Sequence, residues 1–141
     1  MHTIDRVAEF HEAFGIPRAD KTADEILKGR IRLITEEYIE LLEAARCVVR
    51  PINIAEGKYE IVQLAPFEAL DKEHLLKELA DLDYVVAGTA EVFDWDFEEA
   101  GRRVHESNMS KLEKDGKPRF REDGKVLKPD TYIQPYLGDL I

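Results

Sequence analysis

Two pairs of carboxylates carry the chemistry that this sequence offers: Glu37 with Glu40, and Glu78 with Asp81, each pair three residues apart. In a helix, residues three and four apart share a face. On a helical wheel Ile26, Arg30, Leu33, Glu37, Glu40 and Ala44 fall on one stripe, and His74, Glu78, Asp81, Val85, Gly88 and Val92 fall on another. Both stripes are partly apolar, which is a costly place for charge. If the two seams face each other, four carboxylates converge in a groove of low dielectric, and their repulsion calls for a cation. Ligands that are all oxygen, without cysteine or paired histidine, suit a hard ion, Mg²⁺ or Mn²⁺. Mg²⁺ usually keeps few carboxylates and completes its shell with water and substrate phosphates. The pattern therefore predicts a phosphorylated substrate. A di-iron bundle would need Glu-x-x-His on two helices, and the chain has no such motif. His74, one turn before Glu78, suits a supporting part better than ligation of a hard metal.

The elements that must position these groups are helical. Thr3 is the expected N-cap of a first helix marked by Ile4, Val7, Phe10 and Phe14, which Gly15, Ile16 and Pro17 should stop. Thr22-Ala-Asp-Glu25 is a capping box that should open a second helix running to about Arg46, with Leu27, Ile31, Ile34, Tyr38, Leu41 and Ala45 as its core face. Residues 47 to 70 favour strands through Val48, Val49, Ile52 and Ile54 and then Tyr59 to Leu64. Glu56-Gly57-Lys58 is the turn, and Pro51 and Pro66 are breakers. Asp71 can cap a third helix through about Phe93, with Leu75, Leu79, Leu82, Val86 and Phe93 on its apolar stripe. Asp96, in a second box-like pair with Glu99, can cap a fourth through about Leu112. The expected fold is all-α: a four-helix bundle-like core, a small β-hairpin insertion between helices 2 and 3, and an irregular C-terminal tail. Two adjacent apolar seams on each long helix exceed what one chain of this size easily buries, so a homo-oligomer is expected.

Composition agrees with a single domain spanning residues 1–141. The chain is 44% hydrophobic and 35% charged, with a formal net charge of -10. That acidity disfavours nonspecific nucleic-acid binding. The one cysteine, Cys47, can form no internal disulfide, which fits a reducing compartment. The start of the chain carries charge throughout, and no run approaches the length of a membrane helix, so a cytoplasmic protein away from membranes is expected.

Glu36-Glu37-x-x-Glu40 followed by Glu78-x-x-Asp81 resembles the signature of the all-α nucleoside triphosphate pyrophosphatases. These are the MazG-like enzymes, with phosphoribosyl-ATP pyrophosphohydrolase and the dimeric dUTPases as relatives. Glu78-Leu-Ala-Asp-Leu-Asp-Tyr84, His105-Glu-Ser-Asn108-Met-Ser-Lys111 and Asp123-Gly-Lys-Val-Leu-Lys-Pro129 are similar to the same group, so the resemblance covers roughly residues 22 to 132. The stretch from Glu40 to Glu78 is longer than usual for it. The resemblance implies a Mg²⁺-dependent hydrolase, with Mn²⁺ as a substitute ion. Water attacks phosphorus in such an enzyme, releasing pyrophosphate and a nucleoside monophosphate, a house-cleaning or dUTPase-like activity. It also implies a dimer or tetramer. The alternatives are phosphoribosyl-ATP hydrolysis and a non-catalytic helical oligomer that binds nucleotide or protein.

On this reading Glu37, Glu40, Glu78 and Asp81 hold metal, while Glu36, about 100° round the helix from Glu37, orients water together with it. Phe97, Gly101, Val104, Asn108 and Lys111 share a stripe of the fourth helix that should be buried, and Asn108 and Lys111 at its end are assigned to substrate. Residues 111 to 128 hold seven Lys/Arg and four Asp/Glu. This local positive surplus could cover phosphates, with Lys125 and Lys128 as its best candidates.

Overall fold

In the computed structural model the described residues are 1–16 and 21–141; Pro17, expected to help end the first helix, lies outside them. The elements in order are α1 (Thr3–Ala13), α2 (Ala23–Ala44), β1 (Cys47–Asn53), β2 (Lys58–Gln63), α3 (Lys72–Val92) and α4 (Phe97–Met109). Single 3₁₀ turns at Ile54–Glu56 and Phe67–Ala69 complete the set. The fold is mostly helical, with the hairpin where the strand-forming residues place it. Two compact units divide the chain, Thr3–Thr89 with Met1 and Ala90–Ile141 with His2. Among the described residues, no helix is long and apolar enough to cross a membrane.

In the first unit, α2 begins at the expected capping box. Thr22 Oγ1 accepts from the Glu25 backbone N–H at 3.2 Å, and the Glu25 carboxylate accepts from the Thr22 backbone N–H at 2.8 Å, satisfying two orphan donors at once. The helix stops at Ala44, slightly before the expected end, because Arg46 turns left-handed (φ 52°) and sends the chain into β1. β1 and β2 pair antiparallel. Pro51, expected as a breaker, instead sits inside β1 opposite Tyr59, where a register shift follows it; proline is tolerated at an edge or bulge, where no ladder N–H is required. Pro66 precedes the second 3₁₀ turn. Asp71 caps α3, its Oδ1 accepting from the His74 N–H at 3.0 Å.

The helix faces require a correction. Leu27, Ile31 and Tyr38 of α2, expected in the core, are exposed at 44%, 51% and 42%, and Leu79 of α3 is likewise exposed. The rest of those stripes, Ile34, Leu41 and Ala45 on α2 and Leu75, Leu82 and Val86 on α3, is half-buried, and the buried positions lie beside them at Ala44 on α2 and at Glu78, Ala87 and Gly88 on α3. The reason is polar. Arg30 of α2 donates to the Val85 carbonyl at 3.0 Å and to Thr89 Oγ1 at 3.3 Å, bonds that only the second stripe can make. Gly88 lets the guanidinium approach, since a Cβ there would stand 2.4 Å from Arg30 Nη2 and 3.2 Å from Val7 Cγ1. Val7, fully buried, brings α1 to the same place. Thr3 is the first residue of α1 and not its cap. Its hydroxyl donates to Asp83 Oδ2 at 2.7 Å, while the Tyr84 hydroxyl donates to the Arg6 carbonyl.

In the second unit α3 ends where Asp94 turns left-handed (φ 59°) and the Trp95 N–H returns to the Ala90 carbonyl. Asp96 Oδ1 accepts from the Glu99 N–H, but the Glu99 carboxylate pairs with Arg102 and Arg103, so only half of the expected box forms. α4 ends at Met109, about a turn earlier than expected. Phe97, Gly101, Val104 and Asn108 are exposed, and the covered side of α4 is that of Arg103 and Ser107. The irregular tail lies along it: Ser107 Oγ donates to the Ile133 carbonyl at 2.7 Å, and Arg103 donates to the Tyr136 carbonyl and to Asp139. A stripe of two polar side chains can be the buried one because the tail backbone supplies their partners.

Candidate functional site

The seams that carry the carboxylates are the ones that meet. Glu37 on α2 and Glu78 and Asp81 on α3 each offer a carboxylate oxygen, all within 4.8 Å of one another. Glu78 is the extreme member, a carboxylate only 1% exposed and among the largest fully buried side chains. Its Oε1 accepts from Lys77 Nζ at 3.1 Å and lies 3.4 Å from His74 Nδ1. Its Oε2 and Glu37 Oε2 are buried with no hydrogen-bond partner. Buried oxygens without donors cost stability unless something positive meets them. The site therefore fits a hard cation by its donor chemistry, all carboxylate oxygen, and by these two orphaned atoms.

The electrostatics point the same way. Burial, followed by the charges of Glu40, Asp81 and Glu78, pushes the Glu37 carboxyl above its ordinary value of 4.5. Asp81 and Glu78 hold the Lys77 ammonium well above the usual lysine range through hydrogen bonds. Glu37 binds its proton more tightly folded than unfolded, so between the ordinary value and the raised one the folded state holds more protons. Stability of the protein in chelator should then fall as pH rises through that window. Glu37→Gln should flatten that slope and raise the thermal midpoint at neutral pH. Melting curves over a pH series check this, and an unchanged slope would refute it.

Glu40, one turn beyond Glu37, is exposed and outside the group of three, although its charge reaches Glu37. Glu36 is exposed on the neighbouring face. Beside the cluster opens a cleft of about 490 Å³, lined by Glu43, Arg46, Leu70, Asp71 and His74 among others. In the second unit Lys111 Nζ donates to Asn108 Oδ1 at 2.9 Å just past the end of α4. Lys128 Nζ stands 4.9 Å over the Tyr132 ring, and the Lys125 N–H donates to Asp123 Oδ1. Arg121 pairs with Asp123 and Arg119 lies near Glu113, so part of the local positive surplus is neutralised within the tail.

Sequence reasoning missed Lys77. The signal was present in its spacing, adjacent to Glu78 and four residues before Asp81, the interval at which opposite charges pair along a helix.

A family model described as phosphoribosyl-ATP pyrophosphohydrolase matches residues 7–108. The match runs from α1 to Asn108 and so includes both carboxylate pairs; Lys111, Lys125 and Lys128 lie beyond it. No curated protein matches the chain. With the match covering well over half of its length, the chain belongs to the phosphoribosyl-ATP pyrophosphohydrolase family, within the MazG-like nucleoside triphosphate pyrophosphatases, and is a hydrolase of phosphoric anhydrides.

Proposed function

We propose that the protein is a divalent-metal-dependent pyrophosphohydrolase that cleaves a nucleotide triphosphate into the monophosphate and pyrophosphate. The observation that carries this reading is the meeting of Glu37, Glu78 and Asp81 with two buried, unpartnered carboxylate oxygens. These three would hold Mg²⁺ or Mn²⁺, with Glu40 adding charge or a further ligand. Bound there, the ion would neutralise phosphate charge and acidify the attacking water. Glu36 and Glu37 would orient that water and take up its proton. Lys111, Lys125 and Lys128 would draw the triphosphate by charge, with Asn108 contributing a contact to base or sugar. The cleft beside His74 is of a size that suits a nucleoside. The exposed apolar stripe of Leu27, Ile31 and Tyr38 supports assembly into a dimer or tetramer, in which such residues find cover.

Two substrate classes share the triphosphate that this chemistry needs. House-cleaning hydrolysis of canonical, deoxy or modified nucleoside triphosphates is one, and the family match supports phosphoribosyl-ATP equally. Pyrophosphate release measured over both classes with Mg²⁺ and Mn²⁺ tests the proposal. Turnover of at least one is expected, and nucleotide binding without pyrophosphate release would make the protein a binding module instead.

Lys111→Met keeps most of the apolar stem and removes the charge. A charge-assisted contact of this kind contributes about 1.5–3 kcal/mol, so kcat/KM should fall roughly ten- to a hundred-fold. The exposed bond to Asn108 has little weight for stability, and the thermal midpoint should hardly move. An unchanged kcat/KM would remove Lys111 from the site.

A further inference from the structure

We infer that the Lys77 ammonium is a built-in competitor for the carboxylate cluster, a side chain that must leave Asp81 and Glu78 before a divalent cation can load. The inference rests on the metal reading above. Lys77 Nζ lies 2.7 Å from Asp81 Oδ2 and 3.1 Å from Glu78 Oε1, so it takes one oxygen from each of two proposed ligands. A cation seated on the same carboxylates would stand close to that ammonium, and like charges at such separation in a poorly solvated groove repel strongly.

The partners in this contact differ in freedom. The Glu78 side chain is held in the interior at 2% exposure and Asp81 is intermediate at 40% on a single-carbon stem, whereas Lys77 is the most exposed of the three at 59% and has a four-carbon stem to swing on. Displacement therefore falls to the lysine. The orphaned Glu78 Oε2 shows that Lys77 does not satisfy the cluster, since one ammonium meets only part of the charge of three carboxylates. A divalent ion meets more of it. Loading is then an exchange of a weak internal cation for a stronger external one, and the exchange lowers metal affinity by what the lysine contacts contribute.

Mn²⁺ titration calorimetry on the wild type, Lys77→Met, Lys77→Gln and Lys77→Arg tests this, with thermal midpoints recorded in chelator and in saturating Mn²⁺. Lys77→Met and Lys77→Gln should each bind Mn²⁺ about ten-fold more tightly than the wild type, while Lys77→Arg stays close to it. Both neutral variants should melt lower than the wild type in chelator and gain more on adding Mn²⁺. The use of two neutral variants keeps the test intact if one fails to fold. Equal or weaker Mn²⁺ binding by the neutral variants overturns the competitor role and leaves the metal site standing. Glu78→Gln titrated alongside separates the two readings: Mn²⁺ binding that this change does not weaken, or no binding by any of the proteins, overturns the metal site and the inference with it.

Discussion

Excess chelator should stop pyrophosphate release, and Mg²⁺ or Mn²⁺ added beyond the chelator should restore it. The argument is one of charge. Glu37, Glu78 and Asp81 bring carboxylate oxygens within 4.8 Å of one another, Glu40 adds its field, and a triphosphate substrate adds several more negative charges. Lys77 supplies one positive charge against all of these. Without a divalent ion the substrate is repelled from the groups that should act on it, so loss of activity should be complete and not merely partial. Helix content should survive chelation, because Arg30, the Thr22 cap and the packing of Val7 do not depend on the ion. A coupled pyrophosphate assay across a metal titration, with circular dichroism on the same samples, makes the check. Undiminished hydrolysis in chelator with an intact fold would reject metal and leave the cluster as a general base only.

Much of the fold was legible because its signals are local. Thr22 and Glu25 form a cap from four residues of sequence, and Asp71 and Asp96 likewise open their helices wherever the rest of the chain goes. The hairpin followed from a run of β-branched and aromatic residues around a Gly57 that adopts positive φ. Which stripe of a helix turns inward is a different kind of question. On α2 the stripe of Leu27, Ile31, Ile34, Tyr38, Leu41 and Ala45 was the natural core face, yet Leu27, Ile31 and Tyr38 are exposed while Ile34, Leu41 and Ala45 are half-buried, because the inward orientation is set by partners far along the chain. Arg30 finds Val85 and Thr89 some 55 to 59 residues away, and Gly88 leaves it room. The misjudged face of α4 has the same origin, since Ser107 and Arg103 are covered by a tail that carries no periodic signal.

The candidate site was more legible than the core for a physical reason. Carboxylates in a partly apolar seam are anomalous whichever way the seam turns, whereas a leucine is at home on either side. The juxtaposition of Glu37 with Glu78 and Asp81 needed α2 to meet α3 along those seams, which the wheel could pose but not decide. Lys77 escaped notice because a lysine beside a glutamate on a helix is ordinary, and only the burial of Glu78 makes its contact consequential.

Glu78→Gln should lower kcat/KM by about a hundred- to a thousand-fold, the scale on which removal of one preorganised electrostatic group is felt at an active site. The substitution keeps the shape of a side chain that is only 1% exposed and deletes its charge. Its consequences for folding run the other way. The glutamine carbonyl can still accept from Lys77, and its amide can donate within a cluster where Glu37 Oε2 has no partner. Loss of one of three mutually repelling charges also relieves Glu37, whose carboxyl Glu78 helps to raise. In chelator the variant should therefore melt at or above the wild-type midpoint, while Mn²⁺ should bind it more weakly and stabilise it less. Glu78→Ala is the contrast: it leaves a cavity at a buried position and should melt lower. Midpoints in chelator, Mn²⁺ affinity and steady-state kinetics on the two variants decide the matter together. A Glu78→Gln protein that loses stability in chelator and turns over normally would make Glu78 a structural residue, whereas stability kept and turnover lost places its charge in the reaction.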